Sequence, residues 1–141
     1  MRPGELEVPT GLLAAFKTGN RFQDIVCNNM IEGRTGNEIF FGAKADAEKA
    51  GIRNCLYSHP IGYHVHGAGP IIGLMDKQQF IPHSGENKLH NNTCHSLEMN
   101  IAQFLPEWGQ DITMCHEENI AFVDGNTYFI NGRAEEFYII R

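Results

Sequence analysis

The sequence predicts an α+β fold in which N-terminal helices pack on a curved, mainly antiparallel sheet. Three observations carry this. Before about position 53 the apolar residues recur at helical spacing, and after it they alternate or run at strand spacing. Asp124-Gly-Asn126 is a strong hairpin signal. Helices first and strands second is the order of an α+β chain, not of alternating βαβ units.

Each element has its own signal. Within Pro9–Lys17, the residues Leu12, Leu13 and Phe16 share one helical side, and a second set follows at Phe22, Ile25, Val26, Met30 and Ile31. Arg34-Thr-Gly-Asn-Glu38 supplies a break and a helix cap. Glu38 to Ala50 is rich in Ala, Glu and Lys, and Gly51 reads as a C-cap, so two or three amphipathic helices are expected. Asn54–Tyr57 reads as a short strand. Ser96–Ile101 alternates, with Leu97, Met99 and Ile101 on one face and Ser96, Glu98 and Asn100 on the other. Ile112–Val123 is a longer strand interrupted at His116–Asn119, Tyr128–Ile130 is its return, and Phe137–Ile140 is expected as a final strand.

Composition bounds the function. At 141 residues the chain is expected to form a single domain, residues 1–141, with a real core. It is 42% apolar and 20% charged, ordinary for a globular protein. A net charge of -6 argues against a nucleic-acid partner, which calls for clustered Lys and Arg. No apolar run approaches a membrane span. No apolar h-region follows Met1-Arg-Pro-Gly, so the expected location is the cytoplasm. The four cysteines form no Cys-x-x-Cys pair, which points to reduced, mostly buried thiols.

The chemistry concentrates in His59-Pro-Ile-Gly62-Tyr-His-Val-His66, which holds three of the seven histidines. Taken singly, each histidine reads as a structural hydrogen-bonder, Glu98 as a solvent-facing edge residue and Glu117 as a solvated bulge. The set is more informative: a His, then a Glu, then a second Glu, each at a strand-like segment. Carboxylates suit hard divalent cations, and one imidazole tunes such a site toward manganese, cobalt, iron or zinc.

These residues resemble a known superfamily. His59-Pro-Ile-Gly62-Tyr-His-Val-His66, followed by Gly67-Ala-Gly-Pro70, is similar to the His-x-x-Gly-x-x-x-His signature of the methionine aminopeptidases, Xaa-Pro aminopeptidases, prolidases and creatinases, which share the pita-bread fold. The Xaa-Pro aminopeptidase-like branch is the best match, also through Gly19-Asn-Arg-Phe-Gln-Asp24, Gly33-Arg-Thr-Gly-Asn-Glu38 and Pro106-Glu-Trp-Gly109. The resemblance implies that His59 is a metal ligand and that His66 contacts substrate and stabilises the tetrahedral intermediate. It implies Glu98, in Ser96-Leu-Glu98-Met-Asn100, as the next ligand. Glu117, in Glu117-Glu118-Asn-Ile-Ala-Phe-Val123, would be the last. The implied cofactor is a pair of divalent ions (Mn, Co, Zn or Fe), and the implied substrate is a peptide with proline at its second position.

The chain departs from this pattern in one decisive way. The family's site has five ligands, and the two aspartates of an earlier strand pair have no counterpart, since Asp24, Asp46 and Asp76 lie in the wrong places. The resemblance therefore covers the C-terminal half of the catalytic domain. It implies a hydrolase fragment that binds metal weakly and has little activity without an Asp-bearing N-terminal partner. Two alternatives stand beside it: a non-catalytic peptide-binding module, and a self-associating domain that buries its exposed face in a homo-oligomer. His64 is not required by the motif and reads as structural or accessory. Trp108 reads as a packing residue at a turn beside the groove.

Overall fold

The computed structural model describes residues 2–140. It contains α1 (Thr10–Asn29), α2 (Gly36–Lys49) and five strands: β1 (Arg53–Gly62), β2 (Val65–His66), β3 (Thr93–Leu105), β4 (Gln110–Val123) and β5 (Asn126–Phe129). The strands form one antiparallel sheet in the order β2-β1-β3-β4-β5. The α+β layout expected from the sequence is the one observed.

The two N-terminal apolar sets lie on one continuous helix. Ala15, Gly19, Phe22, Val26 and Met30 are buried along a single stripe whose phase runs through the middle of α1, while Leu13 at its start is exposed. α1 follows Pro9 and has no side-chain cap of its own. The β3–β4 turn supplies one: Gly11 N–H donates to Glu107 Oε1 at 2.7 Å and Thr10 Oγ1 donates to the same oxygen at 2.8 Å. α2 carries the expected cap, which takes the form of a capping box: Glu38 N–H donates to Thr35 Oγ1 at 3.2 Å and Thr35 N–H donates to Glu38 Oε2 at 2.7 Å. It ends at Lys49 with Ala50 as the C-cap, and Gly51 just beyond, at φ 69°, takes the left-handed conformation that closes the helix.

β4 runs without interruption through His116–Asn119, because its polar residues alternate between the two sheet faces. His116 and Glu118 face α1 and the C-terminal segment; the His116 ring lies 5.3 Å from that of Phe16, and Glu118 Oε1 accepts from Ala134 N–H at 3.1 Å. Asp124 (φ 51°) and Gly125 (φ 73°) form the predicted two-residue hairpin turn. Phe137–Ile140 is not a strand. Phe137 packs against α1, its ring 4.8 Å from that of Phe16, while Tyr138 and Ile140 are exposed and the segment pairs with no strand among the described residues. All four cysteines are free, but Cys94 and Cys115 are exposed rather than buried, since both project from the sheet face opposite the helices. No helix among the described residues is long and apolar enough to cross a membrane.

The core lies between the helices and one face of the sheet. Leu56, Leu97, Met99, Ile101, Ile120 and Phe122 meet Phe22, Val26, Ile39 and Phe40 there, all at 0–1% exposure. The face expected for Leu97, Met99 and Ile101 is the one observed. The opposite face carries Tyr57 and His59 from β1, Ser96, Glu98 and Asn100 from β3, and Cys115, Glu117 and Asn119 from β4. No layer among the described residues covers it.

The two edges of the sheet are treated differently. On the β1 side the Gln78 side chain acts as a strand residue: its Nε2 donates to Leu56 O at 2.8 Å and its Oε1 accepts from Leu56 N–H at 3.0 Å. On the β4 side, β5 pairs only Ile120–Val123, and Ile130 N–H donates to Asn119 O at 2.9 Å. Residues of the same parity as Asn119, namely Asp111, Thr113, Cys115 and Glu117, therefore turn their N–H and C=O groups outward, and no hydrogen bond from the described residues reaches them.

Candidate active site

The candidate residues converge on the open face because of strand register. Tyr57 lies opposite Glu98, and Glu98 lies opposite Glu117, forming one row across β1, β3 and β4. His59, Ser96 and Asn119 form the next row. His66 reaches this face through the β1–β2 hairpin, whose register pairs Ile61 with His66 and Gly62 with Val65. Gly62 is a steric requirement of that reversal: a Cβ there would come within 2.8 Å of Gly67 Cα and 2.9 Å of the His66 carbonyl oxygen. Gly67 N–H then closes the hairpin onto Pro60 O at 2.7 Å.

His59 is 2% exposed. Its Nδ1 lies 3.0 Å from Pro60 O, a carbonyl that can only accept, so Nδ1 carries a proton and donates. In the neutral ring Nε2 is then a bare lone pair, and it faces Glu98 Oε1 at 3.1 Å. Two acceptors at that distance need a cation or a proton between them. The His66 ring stacks on His59 with centroids 4.0 Å apart, tilted by 31°, and its Nε2 is 3.2 Å from the Tyr57 hydroxyl.

Electrostatics add a second strain. Glu98 and Glu117 are directly opposed on neighbouring strands, an arrangement that disfavours folding unless something neutralises it. Glu117 relieves part of this by turning aside, where its Oε1 accepts from Ser96 Oγ at 3.2 Å. Consequently no group of three His, Cys, Asp or Glu side chains among the described residues is arranged to hold a metal ion, although the donors share one face. Burial, and then the Glu98 carboxylate, push the Tyr57 phenol above its usual range, so it remains protonated. Behind the site His95 is fully buried, and burial, with His59 nearby, lowers it to about 4.

Of the residues singled out in the sequence, the structure brings His59, His66 and Glu98 into contact and sets Glu117 beside them. His64 is exposed at the hairpin tip, next to a Tyr63 that is 98% exposed. Trp108 is not beside the site. It sits in the β3–β4 turn, at the end of β3 remote from Ser96, where its Nε1 donates to Glu5 Oε1 at 2.8 Å and the Arg2 guanidinium lies 4.8 Å from its ring. Sequence reasoning missed Tyr57, whose one signal is that it shares strand parity with His59. It also missed the Pro60 carbonyl, a backbone group that side-chain motifs do not reveal. A cleft of about 230 Å³ borders Glu117, Glu118, Asn119 and Asn131, whereas larger clefts flank α2 and lie between Arg2–Glu7 and Ile139–Ile140.

No protein-family model matches the chain, and no curated sequence does. Solved structures do. The chain is similar to the X-Pro aminopeptidase of Thermotoga maritima at 17% identity and a TM-score of 0.65, covering 95% of this chain and 35% of that one. It is similar to a dipeptidase of Pyrococcus horikoshii at 22% identity and a TM-score of 0.64, covering 92% and 33%. A methionine aminopeptidase of Rickettsia prowazekii matches at 14% identity and a TM-score of 0.54, covering 87% of this chain and 53% of that one. This chain has the fold of the C-terminal half of the pita-bread catalytic domain and spans about a third of the length of the first two structures it matches.

Proposed function

We propose that this chain carries the histidine-and-glutamate half of a divalent-metal peptidase centre. The observation that supports it most is the His59 Nε2 lone pair directed at Glu98 Oε1 at 3.1 Å, with the Nδ1 proton already committed to Pro60 O. His59, Glu98 and Glu117 would hold the ion, and an imidazole with two carboxylates suits manganese, cobalt, zinc or iron. Opposed carboxylates on neighbouring strands fit the same reading, because a cation removes their repulsion. Bound there, a divalent ion supplies Lewis acidity toward a peptide carbonyl.

The chain's own residues prepare that chemistry. The Pro60 carbonyl fixes the His59 tautomer and ring orientation, as backbone acceptors do behind metal-ligating imidazoles. Ser96 Oγ donates to Glu117 Oε1 and orients that carboxylate on the open face, so an arriving ion would have to draw Glu117 from this hydrogen bond. His66, stacked on His59 and exposed to solvent, is placed to donate to charge developing on a substrate oxygen. Similarity to an X-Pro aminopeptidase supports a peptide with proline at its second position as the substrate class.

A second reading concerns the partner, and the free edge of β4 supports it. An edge of this length with outward N–H and C=O groups, next to an uncovered sheet face, suits strand addition by a chain that contributes the missing carboxylates, or by a second copy of this chain. Alone, the chain is expected to cleave Xaa-Pro peptides poorly; robust cleavage by the isolated chain would show that no outside carboxylates are needed.

Calorimetric titration of manganese, cobalt and zinc into the chelator-stripped chain tests the metal reading. It expects one binding event that disappears in His59→Ala and Glu98→Ala while the circular dichroism spectrum is retained. Isotherms unchanged in both variants would refute the ligand assignment.

A further inference from the structure

We propose that Tyr57 is a positioning residue for His66: its hydroxyl donates to His66 Nε2 and thereby fixes the proton of the neutral ring on Nδ1. This deepens the peptidase reading above and rests on it for its consequence, though its geometry stands alone.

His66 is on the short strand β2, exposed, and its ring plane is set by stacking 4.0 Å from the buried His59 ring. Stacking fixes the plane but leaves two ring flips and two tautomers. The Tyr57 contact, 3.2 Å from Oη to Nε2, selects among them. Tyr57 Oη has no other hydrogen-bond partner among the described residues, and neither does His66 Nδ1. A phenol is a good donor and a poor acceptor, whereas an unprotonated imidazole nitrogen is a strong acceptor. The O–H···N arrangement therefore pairs the better donor with the better acceptor, whereas the reverse would set the Nε2 proton against the weakly accepting phenol oxygen.

Tyr57 is itself held in place. It lies on β1 two residues before His59, in register with Glu98, and its ring packs 5.3 Å from that of His59. The consequence concerns which atom His66 offers to a substrate. With Nε2 engaged by Tyr57, the donor left for a peptide carbonyl oxygen is Nδ1–H.

Nitrogen-15 NMR of the isolated, metal-free chain at pH 8 tests this without any peptidase assay. In the wild type the His66 ring is expected to show a pyrrole-type Nδ1 and a pyridine-type Nε2. Tyr57→Phe keeps the ring and removes only the hydroxyl, and it is expected to shift His66 toward the Nε2–H form while His59 keeps its proton on Nδ1. An Nε2–H tautomer in the wild type overturns the proposal even if the variant does not fold. So does a His66 tautomer unchanged by Tyr57→Phe. Zinc titration of the same two samples separates this from the metal reading: an intact tautomer switch with no zinc binding refutes the metal site alone, and zinc binding with no switch refutes the role of Tyr57 alone.

Discussion

Glu98→Gln in the metal-free chain is the sharpest perturbation of the half-site, because two opposite signs are expected from one substitution. Glu98 Oε1 sits 3.1 Å from a His59 nitrogen whose lone pair faces it, and the carboxylate is directly opposed by Glu117. An amide in the same volume places an N–H donor against that lone pair, which is worth about 0.5–1.5 kcal/mol. It also removes one of two like charges in a cross-strand pair, worth about 0.2–1 kcal/mol. Because the Glu98 side chain is 25% exposed, solvent screens part of the charge effect, and the expected gain is about 1–2 kcal/mol. For a chain of this size that is roughly 3–8 °C in Tm. Thermal denaturation in chelator at pH 8 is the assay, paired with a zinc titration in which Glu98→Gln binds far more weakly than wild type. A Glu98→Gln chain that is less stable than wild type at pH 8 would refute the reasoning, since the pair would then be an ordinary structural hydrogen bond.

Other predictions follow from the same geometry. His95 is lowered from 6.5 to about 4 by burial, so between these values the unfolded chain binds a proton that the folded chain does not. Stability from this group is complete above pH 6.5 and falls by about 3 kcal/mol as the pH drops toward 4, with half-buried His116 adding in the same direction. His95→Asn is expected to flatten the dependence of denaturation midpoint on pH across that window; an equally steep profile would assign the loss to other groups. Glu107→Gln weakens the cap that the β3–β4 turn places on α1, and is expected to lower Tm without altering metal affinity. Val65 is a β-branched residue at φ 74°, so Val65→Asn is expected to stabilise the hairpin by about 1 kcal/mol, read by chemical denaturation; a destabilised variant would show that the hairpin backbone carries no such strain.

The layout was legible in the sequence where a single periodicity governed an element. Leu97, Met99 and Ile101 alternate against one apolar layer, and the Thr35–Glu38 box and the Asp124-Gly125 turn depend on local chemistry alone. Reading failed where tertiary context decided. The two apolar sets of α1 share one phase only through Gly19, whose burial against β4 is invisible locally. Phe137–Ile140 has the composition of a strand, but an apolar run can equally pack in extended form on a helix, as Phe137 does on Phe16. The apparent break at His116–Asn119 arose because both faces of β4 are polar there, His116 and Glu118 toward α1 and the C-terminal segment and Glu117 and Asn119 on the open face, so alternation brings no apolar signal.

The site shows the same division. The spacing of His59, Glu98 and Glu117 placed them on strands, and register brought them to one face. Which of them touch was not legible, because it depends on Ser96 drawing Glu117 aside and on the backbone carbonyl of Pro60. Tyr57 went unnoticed because an aromatic residue in a strand reads as packing.

The central claim is that His59 Nε2 and Glu98 form a cation-binding pair, and nitrogen-15 NMR of His59 during a zinc titration of the wild-type chain tests it most directly. The account predicts a saturable shift at Nε2, with Nδ1 retaining its proton toward Pro60 O, and no such shift in Glu98→Ala. A His59 ring unmoved at saturating zinc, or one that binds through Nδ1, would contradict it.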